Sequence, residues 1–167
     1  MSPPITIRPA EPDDVVLIFS MIVELAEYER DPESVTGSPE LLADGLFGEP
    51  PAAEALIAEA EGSAVGFALF HGTFSTWECR PGLWLEDLYV RPLGRRGGVG
   101  GALLGAVAAI AVERGCARVE WAALDWNTLA RDFYRKHDAR ALPEWVRHRL
   151  DGETLDRVAA AGRAHRG

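Results

Sequence analysis

The chain has 167 residues, a formal net charge of −9 and 47% hydrophobic residues, the balance of an ordinary globular protein. That length predicts one domain over 1–167, large enough to withdraw about 68–70% of its unfolded surface from water. The acidic balance lacks the basic footprint of a general nucleic-acid binder, and the longest apolar run, 99–112, is broken by glycines and too short to span a bilayer. Neither nucleic acid nor membrane is therefore an expected partner. Cys79 and Cys116 have no CxxC spacing, which excludes a zinc knuckle or a disulfide scaffold. No basic segment precedes an apolar one near the N-terminus, so the expected location is cytoplasmic.

Taken in chain order, Ile5-Thr6-Ile7-Arg8 alternates and reads as a first strand. Asp13 and Asp14 then open an apolar stripe of helical period that ends near Tyr28 or Glu29. Ser38-Pro39-Glu40 sets a cap residue before a helix-starting proline, and predicts a short helix through Leu46. Ala55–Glu59 and Ala64–Phe70 read as a hairpin around Glu61-Gly62-Ser63, and Phe74–Pro81 as a loop. Leu83–Val90 is a strand, Gly98 to about Arg114 a helix stopped by Gly115, and Ala117–Ala123 another strand. Asp125-Trp126-Asn127 leads into a helix from Thr128 to about His137. Trp145–Leu150 reads as a late strand, and the tail, 152–167, as a short helix that then frays. Hairpin strands mixed with crossover helices predict an α/β (α+β) fold. Its central mixed sheet would have six to seven strands, with helices on both faces.

One stretch carries chemistry. Leu85-Glu86-Asp87-Leu88-Tyr89-Val90 runs into Arg95-Arg96-Gly97-Gly98-Val99-Gly100-Gly101 and an Ala/Leu-rich helix. Such a turn aims backbone N–H groups, at the positive end of a helix dipole, toward a phosphate, beside a strand bearing two carboxylates. By itself a glycine turn serves close packing equally well. Arg95 and Arg96 at its mouth favour the phosphate reading. The turn lacks the GK[ST] ending of a Walker loop, and no acidic residue follows where a dinucleotide fold needs one.

The segment Arg95 to Gly100 resembles the R/Q-x-x-G-x-G/A loop of the GNAT acetyltransferase superfamily, whose element order matches from Ile5 to Leu150. Within it, Ile7-Arg8-Pro9-Ala10, Glu24-Leu25-Ala26-x-Tyr28-Glu29, Leu85–Val90 and Trp126-Asn127 through Phe133-Tyr134 resemble the diamine (spermidine/spermine, thialysine) branch. The resemblance implies acetyl-CoA as donor. The backbone of Leu88, Tyr89 and Val90 would hold the pantetheine arm. Arg95, Arg96, Gly97, Gly98, Val99, Gly100 and Gly101 would hold the pyrophosphate. Asn127 and the start of the next helix, to Ala130, would lie near the thioester. Arg96 stands where the family's loop carries glycine. The branch also implies a homodimer.

Acetyl transfer to an amine needs a neutral nucleophile, a stabilised oxyanion and a protonated leaving thiolate. The resemblance places Glu86 as general base and Tyr134 as general acid, with a backbone N–H near Leu88 for the oxyanion. Strand alternation sends Asp87 to the opposite side from Glu86. Read as isolated residues, Glu86 is equally a structural carboxylate and Tyr134 equally a core aromatic. Of the adjacent pair, Phe133 suits the core and Tyr134 the cleft.

For the acceptor, the same branch points to Tyr28 and Glu29. Asp87, Trp77, Glu78, Glu144 and Trp145 supply further carboxylates and aromatic faces suited to a cation. Where the branch has an acid before the loop tryptophan, this chain has Ser75, with Glu78 as a substitute. The expected activity is N-acetylation of a small amine: a diamine, a polyamine or an amino-acid-like molecule. The alternatives are a protein N-terminal or lysine acetyltransferase and a non-catalytic acyl-CoA-binding sensor. His71, His137, His148 and His165 have no metal-ligand spacing and read as structural or solvent-exposed.

Overall fold

The computed structural model describes residues 4–95, 97–163 and 165. Contacts gather the chain into two units, Met1–Trp126 and Asn127–Gly167. The first carries the whole sheet: β1 (Ile5–Pro9), β2 (Glu54–Ala60), β3 (Ser63–Ser75), β4 (Arg80–Val90) and β5 (Val119–Glu120), in that spatial order. Pairing is antiparallel through β4 and parallel between β4 and β5.

The middle strands are apolar on both sides because helices cover both faces. On one face Leu56 and Ala58 of β2, Ala68 and Phe70 of β3, and Leu83 and Leu85 of β4 pack beneath α3 (Val99–Glu113), through Val99, Leu103, Val107 and Ala111. On the other, Ala55, Ile57, Phe67, Leu69 and Tyr89 meet Ile18 and Met21 of α1 (Val15–Tyr28) and Leu46 of α2 (Pro39–Phe47). Ile18, Met21, Ile57, Phe67 and Leu103 are fully buried, each worth about 1.5–3 kcal/mol in water-excluded surface.

The local signals behave as their chemistry requires. The Ser38 hydroxyl accepts the Leu41 N–H at 3.3 Å and caps α2. Gly98 (φ 84°) opens α3 and Gly115 (φ 68°) follows its end, both in the left-handed region that glycine occupies without strain. Gly66, paired with Val90, answers a different need: a Cβ there would lie 2.6 Å from the Tyr89 carbonyl oxygen and 3.3 Å from Val90 Cα. Gly66→Ala must push β3 from β4, and is expected to cost about 1–3 kcal/mol. Urea denaturation checks this through a lower midpoint at unchanged m-value; an unchanged midpoint contradicts it.

Four expectations are corrected. The sheet of the described residues has five strands, not six or seven. β5 is confined to Val119–Glu120 rather than filling Ala117–Ala123, pairing only with Leu83 and Trp84. The physical reason lies in β4, which bulges just beyond Trp84 and bends away from its neighbour. Trp145–Leu150 forms no strand, since alternation sets a strand's faces but a ladder partner must complete it. β3 also runs on to Ser75 and β4 begins at Arg80, so the predicted Phe74–Pro81 loop shrinks to a turn, and His71 lies inside β3.

The second unit holds α4 (Thr128–Lys136) and α5 (Gly152–Arg163). Asn127 Oδ1 accepts the Ala130 N–H at 3.1 Å and caps α4.

Candidate active site

The bulge in β4 shapes the site. Leu69 pairs with Asp87 while Phe70 pairs with Leu85, so Glu86 is the inserted residue. Leu83 and Leu85 face α3 before it, and Leu88 and Val90 pack on the same core after it, an odd step that ordinary alternation forbids. Both carboxylates therefore turn toward the α1 face, where Tyr89 also packs. This corrects the expectation that Asp87 lies opposite Glu86. The Trp84 indole N–H donates to Glu86 Oε2 at 2.7 Å, and His71 Nε2 stands 3.9 Å from the same oxygen.

Glu29, the residue that ends α1, supplies a third carboxylate. Burial, then the charge of Asp31, pushes its carboxyl upward. Asp87 is pushed up to about 6, first by burial, then by Glu86 and by Glu29. A carboxyl raised in the folded state binds more protons there than in the unfolded chain, so it erodes stability as pH rises from about 4 to about 6. Asp87→Asn is expected to stabilise the protein by roughly 3 kcal/mol at pH 8, with the gap closing below pH 4. Denaturant titrations of both proteins at the two pH values check this; an equal gap at both contradicts it.

Other side chains fasten α1 to the end of β4. The Arg91 guanidinium grips Glu24 at 2.6 and 3.0 Å and draws its carboxyl down, and the Tyr89 hydroxyl donates to Glu24 at 3.2 Å. Arg95 Nε donates to the Val90 carbonyl at 2.9 Å, and its guanidinium lies over the Tyr28 ring at 4.9 Å. Tyr28 meets Trp126 at 6.3 Å between centroids, and Arg30 (φ 65°) covers Trp126 at 4.7 Å. Of the aromatic faces expected to receive a cationic acceptor, that of Tyr28 is thus covered by the chain's own Arg95. Arg91, Glu24, Arg30 and Trp84 were missed by sequence reasoning; only the Leu85-to-Leu88 step signals the bulge that organises them.

The residues present fit a phosphate-bearing thioester. Beyond Trp84 no described strand lies along the outer edge of β4, so its backbone from Leu85 to Val90 is open to an extended amide chain on that side. A turn through Pro92–Gly94 then leads to Gly97, Gly98 and the start of α3, a helix N-terminus whose first-turn N–H groups suit an anion. Gly94 is buried because a Cβ would meet Val90 and Val65 at 3.0 and 3.1 Å. Arg96 lies outside the described residues.

Trp77 and Glu78 sit on the turn at the far end of the β3–β4 hairpin, about 20 Å along β4 from the bulge. Glu78 pairs there with Arg118 at 3.3 Å, so the structure does not bring these two residues to Glu29 and Asp87. In the second unit, Tyr134 is half-buried on α4 with its ring edge-on to Phe133 at 5.2 Å, and Phe133 also meets His137 at 4.8 Å. Both aromatics are half-buried, so neither is a pure core residue. Glu144 and Trp145 lie in an exposed segment between α4 and α5.

A bulged strand with an open edge that runs into a glycine-capped helix suits an extended, phosphate-bearing thioester. Residues 20–139 match the model of the Acetyltransferase (GNAT) family, and the chain belongs to that family. It is similar to a thialysine N-epsilon-acetyltransferase of Sus scrofa, 40% identical over 93% of this chain and 97% of that protein. It also resembles an L-ornithine N5-acetyltransferase of Arabidopsis thaliana, 40% identical over 56% of this chain and 41% of that protein. Among solved structures, an integron cassette protein from the mobile metagenome of V. cholerae is 25% identical, with a TM-score of 0.77 over 95% of this chain and 98% of the other. The protein is an acyltransferase enzyme, and its family uses acetyl-CoA as co-substrate.

Proposed function

We propose that the enzyme transfers the acetyl group of acetyl-CoA to the primary amine of a small molecule by direct attack, with Glu86 as general base and Tyr134 as general acid. The observation that carries this reading is the β4 bulge, which gathers Glu86 and Asp87 on the face where α1 ends at Glu29. Carboxylates on that face attract a protonated amine and accept its proton. The open β4 edge and the first turn of α3 suit the pantetheine arm and pyrophosphate, through Leu88, Tyr89, Val90 and the Arg95–Gly101 turn. Asn127 and Ala130 start α4, and the family resemblance assigns them to the thioester end.

The acceptor that fits best carries its own carboxylate. Arg30 and Arg95 lie on aromatic rings, and among the described residues neither forms an ion pair with a carboxylate. Cations held on Tyr28 and Trp126, near the end of α1, suit a zwitterionic amino acid with a side-chain amine better than a polyamine. The relatives named for thialysine and ornithine point the same way. The family match runs across the boundary between the two units, which supports reading 1–167 as one transferase domain. A homodimer is the expectation that the family resemblance carries.

Thermal unfolding with and without acetyl-CoA tests the donor site. Saturation at one hundred times Kd is expected to stabilise by about 2.7 kcal/mol, seen as a concentration-dependent rise in Tm. No rise at millimolar acetyl-CoA overturns the reading.

A further inference from the structure

The reaction proposed above has a proton to dispose of. A cationic amine R–NH3+ and acetyl-CoA give the amide, free CoA thiol and one proton. Of the three ammonium hydrogens, one stays on the amide and one replaces the proton that Tyr134 gives to the departing sulfur. The third, taken by Glu86 when the N–H bond breaks, must leave the carboxyl before the next turnover.

We propose that His71 is the outlet for that proton, with Trp84 holding Glu86 in place to deliver it; the proposal rests on the transferase reading. The His71 Nδ1 atom lies 3.2 Å from the Gly72 carbonyl, an acceptor only, so Nδ1 carries the hydrogen and Nε2 presents its lone pair. That lone pair stands 3.9 Å from Glu86 Oε2, a gap closed by one bridging water or a small rotation of the carboxyl. The Trp84 N–H on the same oxygen holds Glu86 beside His71.

The titratable groups around Glu86 are His71 on β3, Asp87 beside it on β4, and Glu29 of α1 acting on Asp87. Among the described residues His71 is the basic side chain within ion-pair distance of Glu86. Its side chain is 38% exposed and that of Glu86 48%, so the imidazole opens directly to bulk water. Imidazole is the side chain suited to exchanging a proton with water near neutral pH. In the transfer, the Glu86 O–H bond breaks as an Nε2–H bond forms, and water then takes the proton from the imidazolium. Glu86 and His71 return to their starting states, with no change in electron count.

The test is His71→Gln, assayed by free-thiol release with an amine acceptor. The expected result is a kcat lowered on the order of tenfold, KM for acetyl-CoA unchanged, and recovery when imidazole is added to the buffer at constant pH. A kcat within twofold of the parent, or a loss that imidazole does not relieve, overturns the outlet. A parent protein that acetylates no amine overturns the transferase reading itself, a separate result.

Discussion

Tyr134→Phe is expected to lower kcat by a factor of ~10²–10⁴ and to leave KM for acetyl-CoA nearly unchanged. The departing CoA thiolate needs a proton, and we propose that the phenol supplies it. Phe keeps the ring and its edge-on packing against Phe133, so α4 keeps its shape while the donor is lost. Steady-state kinetics with a good acceptor checks this. Unchanged turnover removes Tyr134 from the chemistry and leaves it as a packing residue.

Glu86→Gln is expected to have an effect of the same order on kcat/KM, about 10²-fold or more at neutral pH, because the attacking amine is protonated in water and nothing else is assigned to neutralise it. The pH profile adds a sharper readout. Glu86 and Asp87 share one face, and Asp87 sits at about 6 partly because Glu86 is charged beside it. The acidic limb of the parent therefore carries the titration of Asp87. With Gln at 86 that Coulombic push disappears, Asp87 titrates at lower pH, and any residual activity should lose the limb or shift it down. A variant whose limb stays where the parent's lies contradicts the assignment of Glu86 as base.

Much of this fold is legible locally. Ser38-Pro39 starts α2, Gly98 starts α3 and Gly115 ends it, because caps and left-handed turns depend on a few neighbouring atoms. The hairpin at Glu61-Gly62 is legible for the same reason. The site is less so. Leu83, Leu85, Leu88 and Val90 all belong to the α3 face, and their odd spacing encodes the bulge, but period-two reading sends Asp87 to the wrong side. The shortened β5 and the missing strand at 145–150 depend on what lies alongside, which a segment's own pattern does not contain. The ring–guanidinium contacts of Arg30 and Arg95 join positions far apart in sequence and follow from where α1 ends against β4.

The central claim is acetyl transfer from acetyl-CoA to a small amine. It is tested most directly by incubating the protein with acetyl-CoA and, separately, thialysine, ornithine, lysine and spermidine, while following thiol release and product mass. The account predicts thiol release in step with an amine product heavier by one acetyl group, faster for the amino acids than for spermidine. No acetylated product with any of them contradicts it.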